Sequence, residues 1–551
     1  MASSPLGNLP SELLEHLLTF LDLPSLLALS ATSRAFHAVV TSSSLPSYAL
    51  HRLNYSPATL RHLHDYRRWS WAQRALWADD VRQRWDAWDF GGEALGGLAR
   101  EWERCMPVLR LWEAQEGIGG VLIARGRGLE LWQAADLSGR MELIPVVVRG
   151  FEEVQPVYDR RRSARGRSDA RGALDDITAI ADGMRAGELV ISRVSGLVQR
   201  LRIADYGGNG RPMVLVESAR YNTSPSSRQL HPRPGSTTVQ ALHSSSNLLV
   251  AASTTRLRPP HPRVHVELHT DSLAHSLAQR AAPKQHHVSL HSIIAPWQPP
   301  VVLPFSTKPW SVLLSPSSSS SCPSWLAIGH SGTAPLTLFH LDSTGSPLPS
   351  PVHLACSAKP TSVYALTTPS PLCSPFLHPT QTLVAAFFDS TTRVYDLRLP
   401  PPSTPSSWAN DDDDSGAPTG TGNEVLRLSD PWSDDPCYSV AVGGATGARI
   451  AVGSARNGAV RLFDVRQPER LVSGGGGGGG GGRGITAFAP PGKDRSPVYG
   501  LAIEGSRVWG VTERRGFVFE FEGERAGAGR RGESVAFVRH QGEGEGQLRR
   551  T

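Results

Sequence analysis

Cysteine is scarce in this chain of 551 residues, and the few cysteines do not cluster. Their number is odd and no C-x-x-C pair occurs among them; they are Cys105, Cys322, Cys356, Cys373 and Cys437. This usage argues against a disulfide framework and against a zinc site, and it indicates a reducing compartment. We therefore expect a cytoplasmic and/or nuclear protein that holds no metal and no other cofactor.

Long apolar runs are also absent. The apolar run near the N-terminus is interrupted by Asp22 and Pro24 and has no basic segment before it, so we do not expect a secretory signal. No stretch is long enough to span a bilayer, and we expect no membrane association.

An excess of one sign of charge is nearly absent. The net charge of +6 and the pI near 9.2 are modest for this length, and part of the basic excess falls in arginine clusters such as residues 160–167. Such a cluster suits a nuclear-localisation signal, a nucleic-acid contact or a solvated loop, of which the solvated loop is the commonest.

Motifs that carry catalysis are missing too. The GHSG sequence at residues 329–332 lacks the G-x-S-x-G spacing and falls where a hairpin turn is expected. His286, His287 and His291 have no Glu or Cys at helical spacing and fall in a predicted surface loop. The glycine run at residues 474–482 is not followed by the Lys-Ser/Thr of a phosphate-binding loop. We predict a non-catalytic protein.

What the N-terminus does contain is a leucine-rich amphipathic helix. Pro10 suits its first position, and apolar residues with Phe20 beside them recur at spacings of three and four: Leu13, Leu14, Leu17, Leu18 and Leu21. Asp22 and Pro24 are expected to end it, and two further short helices follow. About forty residues cannot bury so many leucines, so some should face a partner.

Residues 9–39 resemble the F-box. The resemblance rests on the Leu-Pro opening, the Glu-Leu-Leu sequence, the Phe-Leu-Asp end of the first helix, and Ser-Arg-x-Phe in place of Cys-Arg-x-Trp. It implies binding to a Skp-type adaptor and, through that adaptor, to a cullin. The implied adaptor contacts are Leu9, Pro10, Leu13, Leu14, Leu17, Leu18 and Leu26.

Residues 60–112 have helical character and contain seven of the fourteen tryptophans. Trp77, Val81, Trp85 and Trp88 would share one face of a helix. Interleaved arginines also suit nucleic-acid binding, but a tryptophan stripe at helical period is normally a packing surface, and we do not favour a nucleic-acid partner. We predict a helical linker over residues 51–112 that fixes an F-box at residues 1–50 to the next domain.

From about residue 113 the periodicity is that of strands. Seven segments repeat an apolar strand, a tight polar turn and an alternating strand, and they begin at Gly120, Glu188, Asn247, Trp325, Thr382, Arg449 and Ser506. The third unit takes residues 263–268 as its following strand. In the sixth, residues 450–452 are expected to form an inner strand, and Asn457-Gly458 supplies the positive φ of a two-residue hairpin. Such small sheets are unstable alone, so the units must stack.

These repeats resemble the blades of WD-repeat β-propellers. The endings Val-Tyr-Asp-Leu-Arg at residues 394–398 and Leu-Phe-Asp-Val-Arg at residues 462–466 match that family, although the Gly-His pair is missing and the period is longer than its usual ~40–45 residues. We assign the extra length to disordered insertions at residues 160–171, 317–321, 400–422 and 474–482. The predicted fold class is mainly β: an approximately seven-bladed WD-repeat-like β-propeller at residues 113–523, preceded by the small all-α F-box and the helical linker, and followed by a disordered tail at residues 524–551.

Arginines recur in the predicted turns between the second and third strands of the units. They are Arg125, Arg127, Arg193, Arg456, Arg514 and Arg515. Guanidinium groups that converge on one face would favour an acidic or phosphorylated peptide. Arginines in exposed turns can also be merely solvated.

Together the two resemblances imply a substrate-recognition subunit of an SCF-type cullin ubiquitin ligase. Its F-box would bind the adaptor and its propeller the substrate protein, so its contribution would be proximity and not chemistry. Two alternatives stay open. The Asp-x-Arg endings resemble receptors that dock on a different cullin adaptor through the propeller itself, and the basic loops would suit a scaffold or a nucleic-acid or chromatin binder.

Overall fold

The computed structural model describes most of the chain outside the long insertions. The described residues are 9–48, 69–95, 105–113, 119–134, 141–149, 176–183, 185, 187–205, 212–221, 237–256, 284–316, 322–355, 359–369, 380–399, 423–430, 433–444, 447–466, 485–490, 494–521 and 538–540. The four predicted insertions lie outside these ranges, and so does most of the predicted tail.

Short helices form the N-terminal end of the described chain. They are α1 (Ser11–Leu18), α2 (Leu23–Thr32), α3 (Arg34–Val39) and a π-helical turn at Val40–Ser44. The Asp22 carboxylate caps α2 by accepting a hydrogen bond from the Ser25 N–H at 3.0 Å, so this residue begins the second helix as well as ending the first. The Ser33 hydroxyl caps α3 in the same way, through the N–H of Phe36 at 3.2 Å.

A longer helix, α4 (Trp71–Ala87), follows. It begins with a capping box in which the side chains of Ser70 and Gln73 each accept from the other residue's backbone N–H. It ends at Trp88, whose φ of +55° is left-handed and cannot continue a right-handed helix.

The predicted linker was helical as far as residue 112, and this is wrong beyond α4. Residues 91–94 and 108–113 are strands. Gly91 and Gly92 have low helix propensity, so the helix does not resume after Trp88. The branched and aromatic residues from Val108 onward favour a strand.

Strands make up nearly all of the remaining described chain. They are β1 (Gly91–Ala94), β2 (Val108–Glu113), β3 (Gly119–Arg125), β4 (Gly128–Ala134), β5 (Met141–Arg149), β6 (Ile177–Asp182), β7 (Glu188–Arg193), β8 (Val198–Asp205), β9 (Met213–Tyr221), β10 (Thr237–Ser245), β11 (Leu248–Arg256), β12 (Lys284–Ser292), β13 (Val301–Phe305), β14 (Pro309–Leu314), β15 (Trp325–Gly332), β16 (Leu336–His340), β17 (Val352–Ala355), β18 (Thr361–Thr367), β19 (Thr382–Phe387), β20 (Thr391–Asp396), β21 (Glu424–Ser429), β22 (Cys437–Gly443), β23 (Arg449–Ser454), β24 (Ala459–Asp464), β25 (Ile485–Phe488), β26 (Val498–Glu504), β27 (Arg507–Thr512), β28 (Gly516–Glu520) and β29 (Val538–His540).

These strands form seven blades, each an antiparallel sheet, whose innermost strands close a ring. Six blades use four consecutive strands each, beginning at β2, β6, β10, β14, β18 and β22, and the seventh combines β26, β27 and β28 with β1. Two pairs of neighbouring blades are also hydrogen-bonded to each other, through a parallel pairing of β5 with β9 and a short pairing of β15 with β18. Each innermost strand contacts the next, from β2 through β6, β10, β14, β18, β22 and β26 back to β2. The prediction of a mainly β, seven-bladed propeller is therefore confirmed.

The N-terminal strand β1 completes the last blade. It pairs antiparallel with β28, with Gly91 opposite Glu520 and Ala94 opposite Phe517. Because β1 precedes the first blade and β28 belongs to the seventh, this pairing fastens the two ends of the ring together.

The strand directions define two faces of the propeller. Connections that lead from one blade to the innermost strand of the next, and turns between second and third strands, lie on one face, which we call the upper face. Turns between first and second strands and between third and fourth strands lie on the opposite face, which we call the linker face.

Glycines in the second strands allow neighbouring blades to pack closely. A Cβ at Gly453 of β23 would lie 2.8 Å from the Val498 side chain of the next blade. A Cβ at Gly329 of β15 would lie 2.7 Å from the Val363 side chain, again in the next blade. Both distances are far below ordinary contact, so a larger residue would push the blades apart.

The seventh blade contains a buried carboxylate. Asp494 accepts hydrogen bonds from the N–H and hydroxyl of Ser496 and from the hydroxyl of Thr512. Burial alone would raise the pKa of Asp494, but these bonds outweigh it and hold the pKa below its ordinary value. This ion therefore favours the folded state above the pKa of the unfolded carboxyl.

Several sequence expectations need correction. His286, His287 and His291 lie on strand β12 and not in a surface loop, and the latter two are buried. Burial, with a smaller effect of His287, lowers the pKa of His291 to about 4, so this ring is neutral. Strand β12 takes the place predicted for residues 263–268, which lie outside the described residues. The sequence of β12 does not show the apolar and polar alternation expected of a strand, because two of its buried positions are histidines.

Two smaller corrections concern strand positions. Residues 450–452 were predicted as an inner strand, but they belong to β23, the second strand of the sixth blade. The predicted tail contains the short strand β29, which pairs with β25 as a fifth strand of that blade. The Asn457-Gly458 turn has the predicted positive φ angles, +61° and +55°.

Candidate protein-binding surfaces

Helix α1 has apolar residues on two faces, because its leucines occur in adjacent pairs. Leu18 is buried, and Leu14 and Leu21 pack against the same core, which includes residues of α2 and the π-helical turn. Three other residues point outward and are 53, 47 and 74 % exposed: Leu13, Leu17 and Phe20. We call these three the outward stripe. An exposed apolar cluster of this kind marks a protein-binding surface.

The predicted adaptor contacts divide between surface and core. The accessible members are Leu9, Pro10, Leu13 and Leu17. Leu18 and Leu26 are only 2 % and 1 % exposed and hold α1 and α2 together, so their prediction as surface contacts is wrong. Leu14 packs partly against this core. Phe20, the most exposed member of the outward stripe, was not among the predicted contacts.

The first half of α4 packs on the N-terminal helices. Ala75 is part of their buried core, and Trp71 packs against it. The Tyr48 hydroxyl donates a hydrogen bond to the Asp79 carboxylate at 2.7 Å. Burial would raise the pKa of Asp79, but the bonds from Tyr48 and Arg82 outweigh it and hold the pKa below its usual value.

The second half of α4 packs on the propeller. Trp85 is 1 % exposed and stacks on Phe521, with ring centroids 3.5 Å apart and planes within 8°. Its Nε1–H donates to the Gly505 carbonyl at 3.1 Å, which satisfies the one polar group of the buried indole. Trp85 therefore anchors the helix to the seventh blade.

An ionic network adds a second anchor, on the sixth blade. The Asp86 carboxylate accepts from Arg449 and from Arg466, each at 2.6 Å. Arg449 also pairs with Asp464 and lies over the ring of Trp88 at 4.9 Å. Burial and the charge of Arg466 lower the pKa of Arg449 to about 10, against the opposing effect of Asp86, so Arg449 remains a cation at neutral pH.

Helix α4 thus connects the N-terminal helices to the linker face of the propeller. Gly505 lies in the turn between the first and second strands of the seventh blade, and Arg449 begins the second strand of the sixth blade directly after the corresponding turn, so both lie on that face. The upper face, on the other side of the ring, does not carry these anchors. A partner bound to the upper face would therefore lie on the opposite side of the propeller from helix α4.

The predicted arginine rim does not form as a set. Arg193 is 2 % exposed and donates to the Gln199 amide oxygen at 3.4 Å, and Arg515 is 4 % exposed, so their prediction as substrate contacts is wrong. The Arg193 side chain thus turns into its own blade, where Gln199 of the neighbouring strand accepts its hydrogen bond. Arg125 pairs with Glu130 at 2.7 Å.

The other predicted arginines are more accessible. The Arg456 side chain is 72 % exposed and lies 3.6 Å from Asp435. Arg127 is exposed and Arg514 is half-buried. These three remain candidates for contacts with an anionic partner on the upper face.

The two Asp-x-Arg endings differ in availability. Arg466 is engaged by Asp86 of helix α4 as well as by Asp464. Arg398 is 64 % exposed in its side chain and pairs with Asp396 at 2.6 Å. The ending at residues 462–466 therefore takes part in the attachment of α4.

Aromatic residues on the upper face were missed as candidate site residues. Trp310, Tyr364, Tyr438 and Tyr499 lie near the start of the innermost strands of four successive blades. The sequence does show an aromatic residue near the start of each of these strands. No spacing rule within one blade could bring them together, because only ring closure makes them neighbours.

Metal-binding clusters and membrane-spanning helices are absent from the part of the chain that the structure describes. Within these ranges no group of three or more His, Cys, Asp or Glu side chains could hold a metal ion. Cys105, Cys322 and Cys437 are free thiols. Among the described helices, none has both the length and the hydropathy required to cross a bilayer.

Comparison with known proteins identifies the N-terminal helices. Residues 6–48 match the family model of the F-box domain. No curated protein matches the chain. Among solved structures it is similar to the crystal structure of the Myceliophteria thermophila Cps50 (Swd1) β-propeller domain, with 12 % identity, a TM-score of 0.40, and coverage of 77 % of this chain and 98 % of that one. An F-box domain therefore precedes the seven-bladed propeller.

Proposed function

We propose that this protein is the substrate-recognition subunit of an SCF-type cullin ubiquitin ligase. The outward stripe of its F-box binds a Skp-type adaptor, and through it a cullin. The propeller holds the substrate protein on its upper face. The chain itself performs no bond-making step, and it acts in the cytoplasm and/or the nucleus.

The outward stripe is the observation that carries this proposal. Two exposed leucines of helix α1, Leu13 and Leu17, and the exposed Phe20 just after its end lie within the residues that the F-box model matches. Burying such a side chain stabilises a complex by about 1.5–3 kcal/mol, so a matching partner has a strong reason to cover it.

Helix α4 supports the assignment of adaptor binding to the F-box and of substrate binding to the propeller. Its two halves pack on the F-box and on the linker face, so the adaptor and the upper face are held at a fixed separation. A rigid connection raises the effective concentration of a bound substrate near the conjugating enzyme that the ligase recruits. We take α4, and not the whole of residues 51–112, as the linker.

The experiment is co-purification of the full chain with a recombinant Skp-type adaptor. The test variant combines Leu13→Ala with Leu17→Ala, two members of the outward stripe, and the control is Leu76→Ala, an exposed leucine on α4 outside the F-box match. We expect the parent and the control to retain the adaptor and the double variant to lose it. Equal retention by all three would contradict the proposal.

The alternative adaptor provides a second arm of the same experiment. Binding to it that survives the F-box substitutions but is lost in Arg398→Ala would favour docking through the propeller. A nucleic-acid binder would instead show binding to RNA or DNA that falls steeply with salt.

A further inference from the structure

Six of the seven innermost strands carry a bulge at the same place. In each, one residue near the start of the strand is skipped in the pairing with the second strand; these residues are Thr178, Gln240, Trp310, Tyr364, Tyr438 and Tyr499. The pairing of β2 with β3 in the first blade has no such shift. A bulge re-aims a side chain and is typical of strands next to functional sites.

Four of these bulged residues are aromatic and touch in sequence around the ring. Trp310 and Tyr364 are T-shaped at 4.9 Å, Tyr364 and Tyr438 are stacked at 4.7 Å, and Tyr438 and Tyr499 are T-shaped at 6.1 Å. We call these four residues the aromatic arc. All four are half-buried, and Phe388, which is 48 % exposed, packs on Tyr364 at 5.9 Å.

The arc lies on the upper face, at the mouth of the channel that the innermost strands enclose. Trp310, Tyr438 and Tyr499 are the second residues of β14, β22 and β26. Tyr364 is the fourth residue of β18, but its neighbour Val363 pairs with Phe387, the last residue of β19, so all four lie toward the upper ends of their strands. Helix α4 is anchored on the other face. The arc is therefore on the side of the propeller that the F-box connection leaves open.

One end of the arc is positively charged. The Lys308 ammonium lies 3.5 Å above the Trp310 ring. Burial and the charge of Lys284 lower the pKa of Lys308, and Lys284 and Lys308 both act, after burial, to lower the pKa of His286. Neither lysine forms an ion pair with a carboxylate among the residues that the structure describes. A partner's anion at this end would relieve the repulsion between the two lysines.

The ring geometry favours a peptide with spaced prolines along the rest of the arc. In each T-shaped pair the ring planes meet at a corner, with an angle of 70° between Trp310 and Tyr364 and of 73° between Tyr438 and Tyr499, and the stacked pair separates the two corners. That separation is on the order of one turn of a polyproline II helix, about 9 Å. Such a helix leaves its carbonyl groups free, and the tyrosine hydroxyls can donate to them.

We propose that the aromatic arc binds an extended, proline-containing segment of a partner protein, with an acidic side chain of that segment placed at Lys308. This inference rests on the proposed function, because the partner would be the captured substrate. It differs from the predicted arginine rim in its residues and in its apolar contacts. Stacking of nucleic-acid bases is less favoured, since Tyr364 and Tyr438 already cover one face of each other and Lys308 covers Trp310.

The test measures fluorescence anisotropy of a labelled peptide with the full chain. The probe has the sequence Ala-Glu-Pro-Ala-Ala-Pro-Ala, and its relatives replace Glu by Gln, Glu by Lys, or both prolines by Ala. We expect saturable binding of the probe, weaker binding of the Gln peptide, and at least tenfold weaker binding of the Lys and Ala peptides.

Variants of the chain assign the site. Tyr438→Ala should weaken binding of the probe about tenfold or more, whereas Trp297→Ala, an exposed tryptophan on the linker face, should not change it. Lys308→Gln should weaken the Glu probe about fivefold and leave the Gln peptide unchanged. Tyr438→Phe keeps the aromatic ring and removes only the hydroxyl, so it should retain most of the affinity for the probe. This control shows whether the loss in Tyr438→Ala comes from the missing ring.

Several outcomes would overturn the proposal. They are absence of saturable probe binding to the parent chain, tighter binding of the Lys peptide than of the probe, equal binding by Tyr438→Ala and the parent, and displacement of the probe by an oligothymidylate at lower concentration than by unlabelled probe. Adaptor binding is measured on the same samples. Its loss without loss of peptide binding would count against the proposed function alone.

Discussion

The attachment of helix α4 gives the most quantitative prediction about the molecule. Trp85 is 1 % exposed, stacks on Phe521 at 3.5 Å and donates a hydrogen bond to Gly505. Replacement of a buried aromatic residue by Ala costs about 3–5 kcal/mol. Because Trp85 packs α4 against the seventh blade, its loss lowers the free energy needed to detach α4 from the propeller as well as the free energy of global unfolding.

We therefore expect Trp85→Ala to speed amide hydrogen exchange in Trp71–Ala87 by roughly 10²–10³-fold, at 1.4 kcal/mol for each factor of ten. Amides of the second to fifth blades should change little. Trp297→Ala, which removes an 80 % exposed ring, should change α4 by less than about threefold. The reasoning fails if Trp85→Ala and Trp297→Ala give the same exchange in α4, or if exchange rises uniformly through every blade.

Three further predictions concern the propeller and its attachment. Asp86→Asn should lower the free energy of unfolding by about 2 kcal/mol in urea titrations, because it removes the negative charge that pairs with Arg449 and Arg466. Asp80→Asn, at an exposed ion pair, should cost less than about 0.5 kcal/mol, and equal costs would contradict the network. Asp494 has a lowered pKa in the folded state, so its contribution to stability is present above the unfolded pKa of about 3.9 and is lost as the pH falls through the folded pKa. Asp494→Asn should therefore flatten the pH dependence of thermal stability in this acidic range, and an unchanged slope would argue against a stabilising Asp494 carboxylate. Gly453→Ala should cost about 1–3 kcal/mol in the same urea titrations, since its Cβ would meet Val498 at 2.8 Å, and a neutral result would show that the blades can separate.

Local patterns in the sequence sufficed for most of the blade hairpins. The positive φ angles of Asn457 and Gly458 and the presence of strands on both sides were predicted correctly, because positive φ and strand alternation are properties of a few adjacent residues. The predicted two-residue hairpin is wrong, since four residues connect Ser454 of β23 to Ala459 of β24. Strand β12 was missed because its buried histidines look polar, and their burial depends on the neighbouring blade. Strand β1 was missed because its Gly91-Gly92 sequence has little strand propensity and its partner β28 lies more than 400 residues away.

The candidate site was less accessible from sequence alone. Leu17 and Leu18 are adjacent leucines of one helix, yet one is 47 % and the other 2 % exposed, and only the packing of α1 on α2 decides which faces outward. Arg193 looked available in a turn, but it pairs inside its own blade. The aromatic arc is assembled from residues more than fifty positions apart, so no local pattern could reveal it.

The central claim is that the outward stripe is the adaptor-binding surface, and calorimetric titration of the full chain with a Skp-type adaptor tests it most directly. We predict that Leu17→Ala and Phe20→Ala each weaken binding roughly 10–100-fold, as expected when a side chain worth about 1.5–3 kcal/mol is lost from an interface. Leu76→Ala, equally exposed at 52 % but on α4, should leave the affinity unchanged. Adaptor affinity that is the same in all of these variants, or that falls in Leu76→Ala and not in Leu17→Ala, would contradict the account.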